Sequence, residues 1–375
     1  MLTPIAIGSL RKRQGIRDTV ATNFDTLRWT AAAPTPGSLS DPSRAILGPV
    51  RDALLFWGAP LFAFLAVALW LGGWALAAPH DTASVAIKGM FAVIAVTTWA
   101  HLIAVVPRAY GNRTVFAAHR GKLTIAPLAL IAILFLSPIA LVAASVLAVF
   151  WDVYHSAMQN FGFARIYDMK AGNPPELLRK TDLRLNTLLY VGPLAAGAAL
   201  ATHLQSFAKF DHTALATLAS LPGVLAGYNN GIRGVALLAY AVVLGWAIVD
   251  YRRAMRAGYR LPAHKLATLV STGMVSLLAW GFTPPIVALA VINLYHAVQY
   301  FALVWVKEGG RMTQASGGRQ NRAMLVFWGG SILFGLAYAA AMTGSVRVFL
   351  APFIACSLLH FWYDSFIWSV ARKHV

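Results

Sequence analysis

Cysteine is almost missing from this chain, which contains Cys356 and no other. A disulfide framework, a thiolate zinc cage and an iron–sulfur cluster held within one chain are thereby excluded. Acidic residues are scarce as well, with 13 Asp and Glu against 31 Lys and Arg, and charged residues of both signs make up only 12% of the sequence. No GxSxG or P-loop is present, nor a GxGxxG in a suitable setting, which removes hydrolase, nucleotide-enzyme and dinucleotide readings. What fills the chain instead is hydrocarbon: 58% of its 375 residues are hydrophobic. They fall in runs long enough for the roughly 20 residues that a bilayer-spanning helix requires.

The expected fold class is all-α, a polytopic transmembrane helical bundle. Hydrophobic runs predict ten spans, near 53–77, 85–107, 123–137, 139–164, 185–205, 234–250, 266–281, 284–306, 323–342 and 346–371. Residues 123–164 are too long for one span and short for two. They read as a tight hairpin divided at Ser137-Pro138, because proline removes a backbone donor and disfavours a helical residue before it.

The net charge of +18 would suit nucleic acid, but its distribution assigns it to topology. With both termini cytoplasmic, 27 of the 31 Lys and Arg fall on the cytoplasmic side, as the positive-inside rule requires. Lys88, Lys209, Arg233 and Arg347 are the exceptions. No secretory signal is evident, since the basic cluster Arg11, Lys12, Arg13 follows the short apolar start instead of preceding it. Residues 1–52 are expected to be a cytoplasmic N-terminal arm and 53–375 a single transmembrane domain with one sizeable outer loop near 206–233. The expected localisation is the bacterial cytoplasmic membrane.

Within these spans lie His101, His155, His296 and His360, on the second, fourth, eighth and tenth predicted helices, all running from outside to inside. The next cytoplasmic basic residues are Arg108, Arg165, Lys307 and Arg372. At about 1.5 Å per residue, this spacing puts the four imidazoles roughly 10–18 Å from the basic boundary, in one layer. A single membrane histidine is often structural. Four at one depth on co-directional helices indicate a shared site, because ionisable groups inside a bilayer are costly.

Their neighbours carry the same chemistry. Asp152 and Gln159 flank His155 at helical spacing; Asn293, Gln299 and Tyr300 surround His296; Tyr363 and Asp364 follow His360 within one turn. The expected metal ligands are the four histidines with Asp152 and Asp364. Asp152, Asp364, Tyr363 and Gln159 are the catalytic candidates. Asn160, Asn293, Gln299, Tyr300, Trp99 and Trp151 join Gln159 as candidates for a substrate pocket or for groups orienting the ligands.

Neutral imidazole binds Fe, Zn, Cu and Ni, and carboxylate company favours iron. Non-haem iron, one or two ions, is the expected cofactor; haem and copper rank behind it. No helix carries the paired histidines of a two-haem bundle, and the nine methionines form no soft-ligand run. The resulting expectation is an oxygen-dependent oxidoreductase, an oxygenase or desaturase. Its substrate would be lipid-soluble: a carotenoid, isoprenoid, quinone or acyl chain, with electrons from a separate carrier if required. The alternatives are a proton- or metal-coupled transporter, or a single-haem or structural subunit of a membrane complex.

At HxxxQNxG (His155, Gln159, Asn160, Gly162) and HFxxDxxIWxxxR (His360 to Arg372) the chain resembles a set of bacterial polytopic membrane proteins without assigned chemistry. In composition and ligand type it also resembles the membrane-embedded Brp/Blh carotene dioxygenases. That resemblance implies an integral helical fold holding iron through intramembrane histidines. The motifs differ in order and spacing, so the β-carotene substrate does not carry over. The HxxxH, HxxHH and HxxxHH boxes of membrane desaturases and alkane hydroxylases are absent.

Overall fold

The computed structural model describes residues 38–72, 85–206, 216–344 and 346–368, all of them helix or short connection. The helices are α1 (Pro49–Trp57), α2 (Ala59–Trp70), α3 (Val85–Ala109), α4 (Arg113–Leu136), α5 (Pro138–Lys170), α6 (Arg179–Ala196) and α7 (Leu200–Gln205). They continue as α8 (Ala216–Ala226), α9 (Asn229–Arg256), α10 (Ala263–Phe282), α11 (Pro285–Ala315), α12 (Gln320–Ala341) and α13 (Val346–Ile367). Residues 1–37 of the expected arm, the end of the first predicted span, Lys209, Asp211 and Arg372 lie outside the described residues.

Eight of these helices are long and apolar enough to cross a membrane, or nine spans if the bent pair α1 and α2 counts as one. The chain is a multi-pass membrane protein. The expected fifth span at 185–205 is instead α6 followed by the six-residue α7. Two features account for the break. The first half of α6 carries Arg179, Lys180, Asp182 and Arg184, and the helix ends at Gly197, which is extended (φ −76°, ψ 163°). A Cβ on Gly197 would come within 2.3 Å of the Gly281 Cα, so the two backbones cross with no room for a side chain. Within the expected outer loop 206–233, α8 and the start of α9 form helix.

Local sequence sets the other boundaries. Ser137 is extended (φ −125°, ψ 103°), its Oγ accepts the Ala140 N–H at 3.2 Å, and Pro138 opens α5, so the predicted hairpin break is present. Asn112 caps α4 by accepting the Thr114 and Val115 N–H groups. Between α1 and α2 the axis turns by 56°. Pro60 has no N–H to give the Phe56 carbonyl four residues back, so the helix breaks at the π-turn Ala53–Trp57.

The four histidine-bearing helices close a ring. α11 packs on α3 and α5, and α13 packs on the same two, so α3 and α5 face each other across the bundle. Outside this ring, α12 lies along α3, where a Cβ on Gly335 would meet the Val96 carbonyl oxygen at 2.5 Å. On the other side, α6 and α10 pack against α5. α9 is the most lipid-like helix, exposing Leu237, Leu238, Val242, Trp246 and Val249.

Buried charge pins the basic end. Arg165 and Lys265 sit between Asp168 and Asp182, with Lys265 Nζ at 2.7 and 2.8 Å from the two carboxylates and Arg165 bonded to both. Tyr251 donates to Asp182 and Tyr259 to Asp168, so the cluster is charge-balanced and hydrogen-bonded, as burial demands. Asp52 holds the entry to α1 in a similar way, accepting the Ile46 and Leu47 N–H groups and the Tyr167 hydroxyl at 2.7, 2.8 and 2.9 Å.

Candidate metal centre

His101 lies near the end of α3, three residues before the turn at Ala104 and Val105. Pro107 contributes to that turn, because it cannot donate to the Ile103 carbonyl. His155, His296 and His360 lie within α5, α11 and α13. All four imidazoles are buried, and one ring nitrogen from each can be chosen so that the four atoms lie within 4.8 Å of one another. The expected convergence of the histidine layer is therefore present. These four residues could hold a metal ion.

The rings are arranged in order around a centre. His101 is edge-on to His296 and His360, with ring centroids 4.6 and 4.3 Å apart, and His155 stands 5.0 Å from each of the same two. His101 and His155 are near-parallel and farther apart, at 6.3 Å. Nε2 of His101 and His155, and both nitrogens of His296 and His360, are buried with no hydrogen-bond partner. Buried imidazole nitrogens are normally satisfied. Each of the four rings thus keeps at least one unpartnered nitrogen that a metal ion could take.

The carboxylates divide. Asp364 reaches the cluster, its Oδ2 standing 3.7 Å from Nε2 of both His155 and His360. Its Oδ1 accepts from the Tyr300 hydroxyl and from Trp368 Nε1, each at 3.0 Å. Asp152 is half-buried and makes no hydrogen bond or ion pair among the described residues. The group of converging ligand atoms consists of the four histidines, without either aspartate.

Compared with known protein families, curated proteins and solved structures, the chain matches none. The chemistry of the centre has to come from its own geometry.

Two glutamines tie the histidine helices to the break between α1 and α2. Gln159 Nε2 donates to the His296 carbonyl at 3.1 Å and to Gln299 Oε1 at 2.9 Å. Gln299 Nε2 in turn donates to the Phe56 carbonyl at 2.9 Å, the group that Pro60 leaves without its helical donor. This bridge holds α5, α11 and the bent pair together one turn from the imidazoles. Tyr300 also belongs to the site: its ring lies 4.8 Å from both His101 and His360.

The remaining candidates lie elsewhere. Tyr363 turns to Tyr110, their hydroxyls 3.1 Å apart. Asn293 donates within its own helix to Leu289, and Asn160 donates to Ser156 and accepts from Thr272. Trp99 stacks on Tyr338 at 3.6 Å and packs on Phe353. Trp151 contacts Phe361, and Phe361 packs on the His155 ring at 4.7 Å, which makes Phe361 the aromatic wall.

Below Trp368 is a polar layer that the sequence reading missed. The Arg108 guanidinium lies 4.8 Å over the Trp368 ring and bonds Glu308 at 2.5 Å and the Ile367 carbonyl at 3.1 Å. Glu308 also accepts from Asn112 and Arg311. In the sequence, Arg108 marks only the basic boundary of its helix. The available signal was Glu308 itself, one of 13 acids in the chain, sitting at the end of an apolar helix.

Proposed function

We propose that this chain is a membrane-embedded non-haem iron oxidoreductase acting on a lipid-soluble substrate. The observation that carries the reading is the ring of four buried imidazoles with six unpartnered nitrogens, set in helices able to cross a membrane.

Ring spacing supports iron over a closed tetrahedral zinc site. With bonds of about 2.1 Å and the ring centre about 1.1 Å beyond the nitrogen, rings lie about 6.4 Å apart when opposed, about 4.5 Å at right angles, and about 5.2 Å in a tetrahedron. Four of the five separations lie between 4.3 and 5.0 Å, and the fifth, His101 to His155 at 6.3 Å, is near the opposed value. That pattern suits an ion of higher coordination number with positions left for other ligands. Iron held by imidazole with open positions supplies redox chemistry with dioxygen. One ring accommodates one ion, so the mononuclear alternative is preferred.

The residues of this chain would hold the ion, orient the rings through Gln159 and Gln299, and exclude water. A site enclosed by membrane helices favours an apolar substrate such as a carotenoid, isoprenoid, quinone or acyl chain, entering from the bilayer. Dioxygen consumption by iron-loaded protein in nanodiscs, with each lipid class in turn, tests the reading. Consumption should depend on one class and be lost in His296→Ala. Iron-loaded protein that consumes none with any class would overturn the oxygenase assignment. A proton-coupled transporter would instead show uptake dependent on Asp152 or Asp364 without bound metal.

A further inference from the structure

We infer that Asp364 does not bind the ion but lines a subsite for a small exogenous ligand that can donate a hydrogen bond, water or another protonated molecule, on the edge of the ring between His155 and His360. The inference rests on reading the histidine ring as a metal centre. It concerns which groups face the open positions.

Oδ2 of Asp364 is equidistant, at 3.7 Å, from Nε2 of His155 and of His360. An oxygen that far from two nitrogens, each bonded to one ion at about 2.1 Å, lies about 3 Å from the ion if it is perpendicular to both bonds, well beyond a bonding distance of about 2.0–2.2 Å. The carboxylate is held back by its other oxygen, which takes two hydrogen bonds from side chains on different segments. Tyr300 comes from α11, and Trp368 follows α13 beneath Arg108. Moving Oδ2 into bonding range would strain or break both.

The two imidazole nitrogens stand 3.7 Å from Oδ2, beyond hydrogen-bond range, and no hydrogen bond to Oδ2 is formed among the described residues. A carboxylate oxygen aimed beside an open coordination position accepts a hydrogen bond from a water or protonated ligand there. The chain places this acceptor on one edge only, because Asp152 makes no corresponding contact.

The test uses the full chain, purified and loaded with iron, oxidised to the ferric state and titrated with azide by its charge-transfer absorption. Asp364→Asn exchanges an acceptor-only group for one that can donate to the anion. The variant should keep the wild-type iron content and bind azide at least tenfold more tightly. Asp152→Asn should leave the affinity unchanged. Tyr300→Phe, which releases one anchor and leaves the carboxylate, should shift the affinity by a smaller factor. If Asp364→Asn loses its iron while Asp152→Asn keeps it, Asp364 is a ligand and the inference is overturned. It is also overturned if azide affinity stays within twofold of wild type in both Asp364→Asn and Tyr300→Phe. A wild-type protein that takes up no iron would overturn the metal reading itself, a different failure.

Discussion

Gln299→Leu removes the amide that links the histidine helices to the break between α1 and α2, with little change in side-chain volume. In the native protein this amide donates to Phe56 and accepts from Gln159, both at 2.9 Å. After the change, Gln159 keeps the His296 carbonyl as a partner, but the Phe56 carbonyl loses its side-chain donor opposite a proline. Leaving one such buried group unsatisfied costs about 1–3 kcal/mol. An effect near the middle of that range lowers the unfolding midpoint by roughly 2–4 °C in a protein of this size. The second effect falls on the site, where loss of groups that orient metal ligands typically costs about 10–100-fold in metal affinity. Thermal unfolding in detergent and iron competition against a chelator measure the two separately. Gln159→Leu should act in the same direction, and the double variant should fall short of the sum, since both residues serve one bridge. Wild-type stability together with wild-type iron affinity in Gln299→Leu would refute the bridge.

Other substitutions probe the frame around the site. Lys265→Met leaves Asp168 and Asp182 facing each other with Arg165 alone, and should destabilise by about 3–5 kcal/mol in chemical unfolding, while simultaneous replacement of the aspartates recovers part of the loss. Gly335→Ala forces α12 off the Val96 carbonyl on α3 and should lower both the unfolding midpoint and iron content, whereas alanine at the open position Gly330 should do neither. Asp52→Ala frees three donors at the entry to α1 and should speed limited proteolysis near Ile46 more than near Lys170.

The histidine layer was legible because depth in a membrane helix can be counted from the basic boundary, and four equal depths needed no tertiary information. Ser137-Pro138 was legible for a similar reason, since a proline that must start a helix marks its own position. The break within the fifth predicted span was not legible, because hydropathy over 185–205 does not register a glycine whose role is to let the Gly281 backbone approach. Facing direction was the other limit. Spacing placed Asp152 on the His155 face, one turn away, but only the packing of α5 against α11 and α13 decides which neighbours on that face reach the rings. Tyr300 and Tyr363 look equivalent in sequence, and the rotation of their helices assigns one to the site and the other to Tyr110. The Gln299 to Phe56 bond joins residues 243 positions apart, so no local pattern announces it.

Metal content of the purified wild-type chain, measured beside His155→Ala and His296→Ala, tests the central claim most directly. The account predicts one iron per wild-type chain and less than about a tenth of that in either variant while both remain folded, because a ring that loses one of its four imidazoles no longer encloses the ion. Wild-type protein carrying no transition metal above trace after expression with iron, or folded variants that retain a full complement, would contradict it.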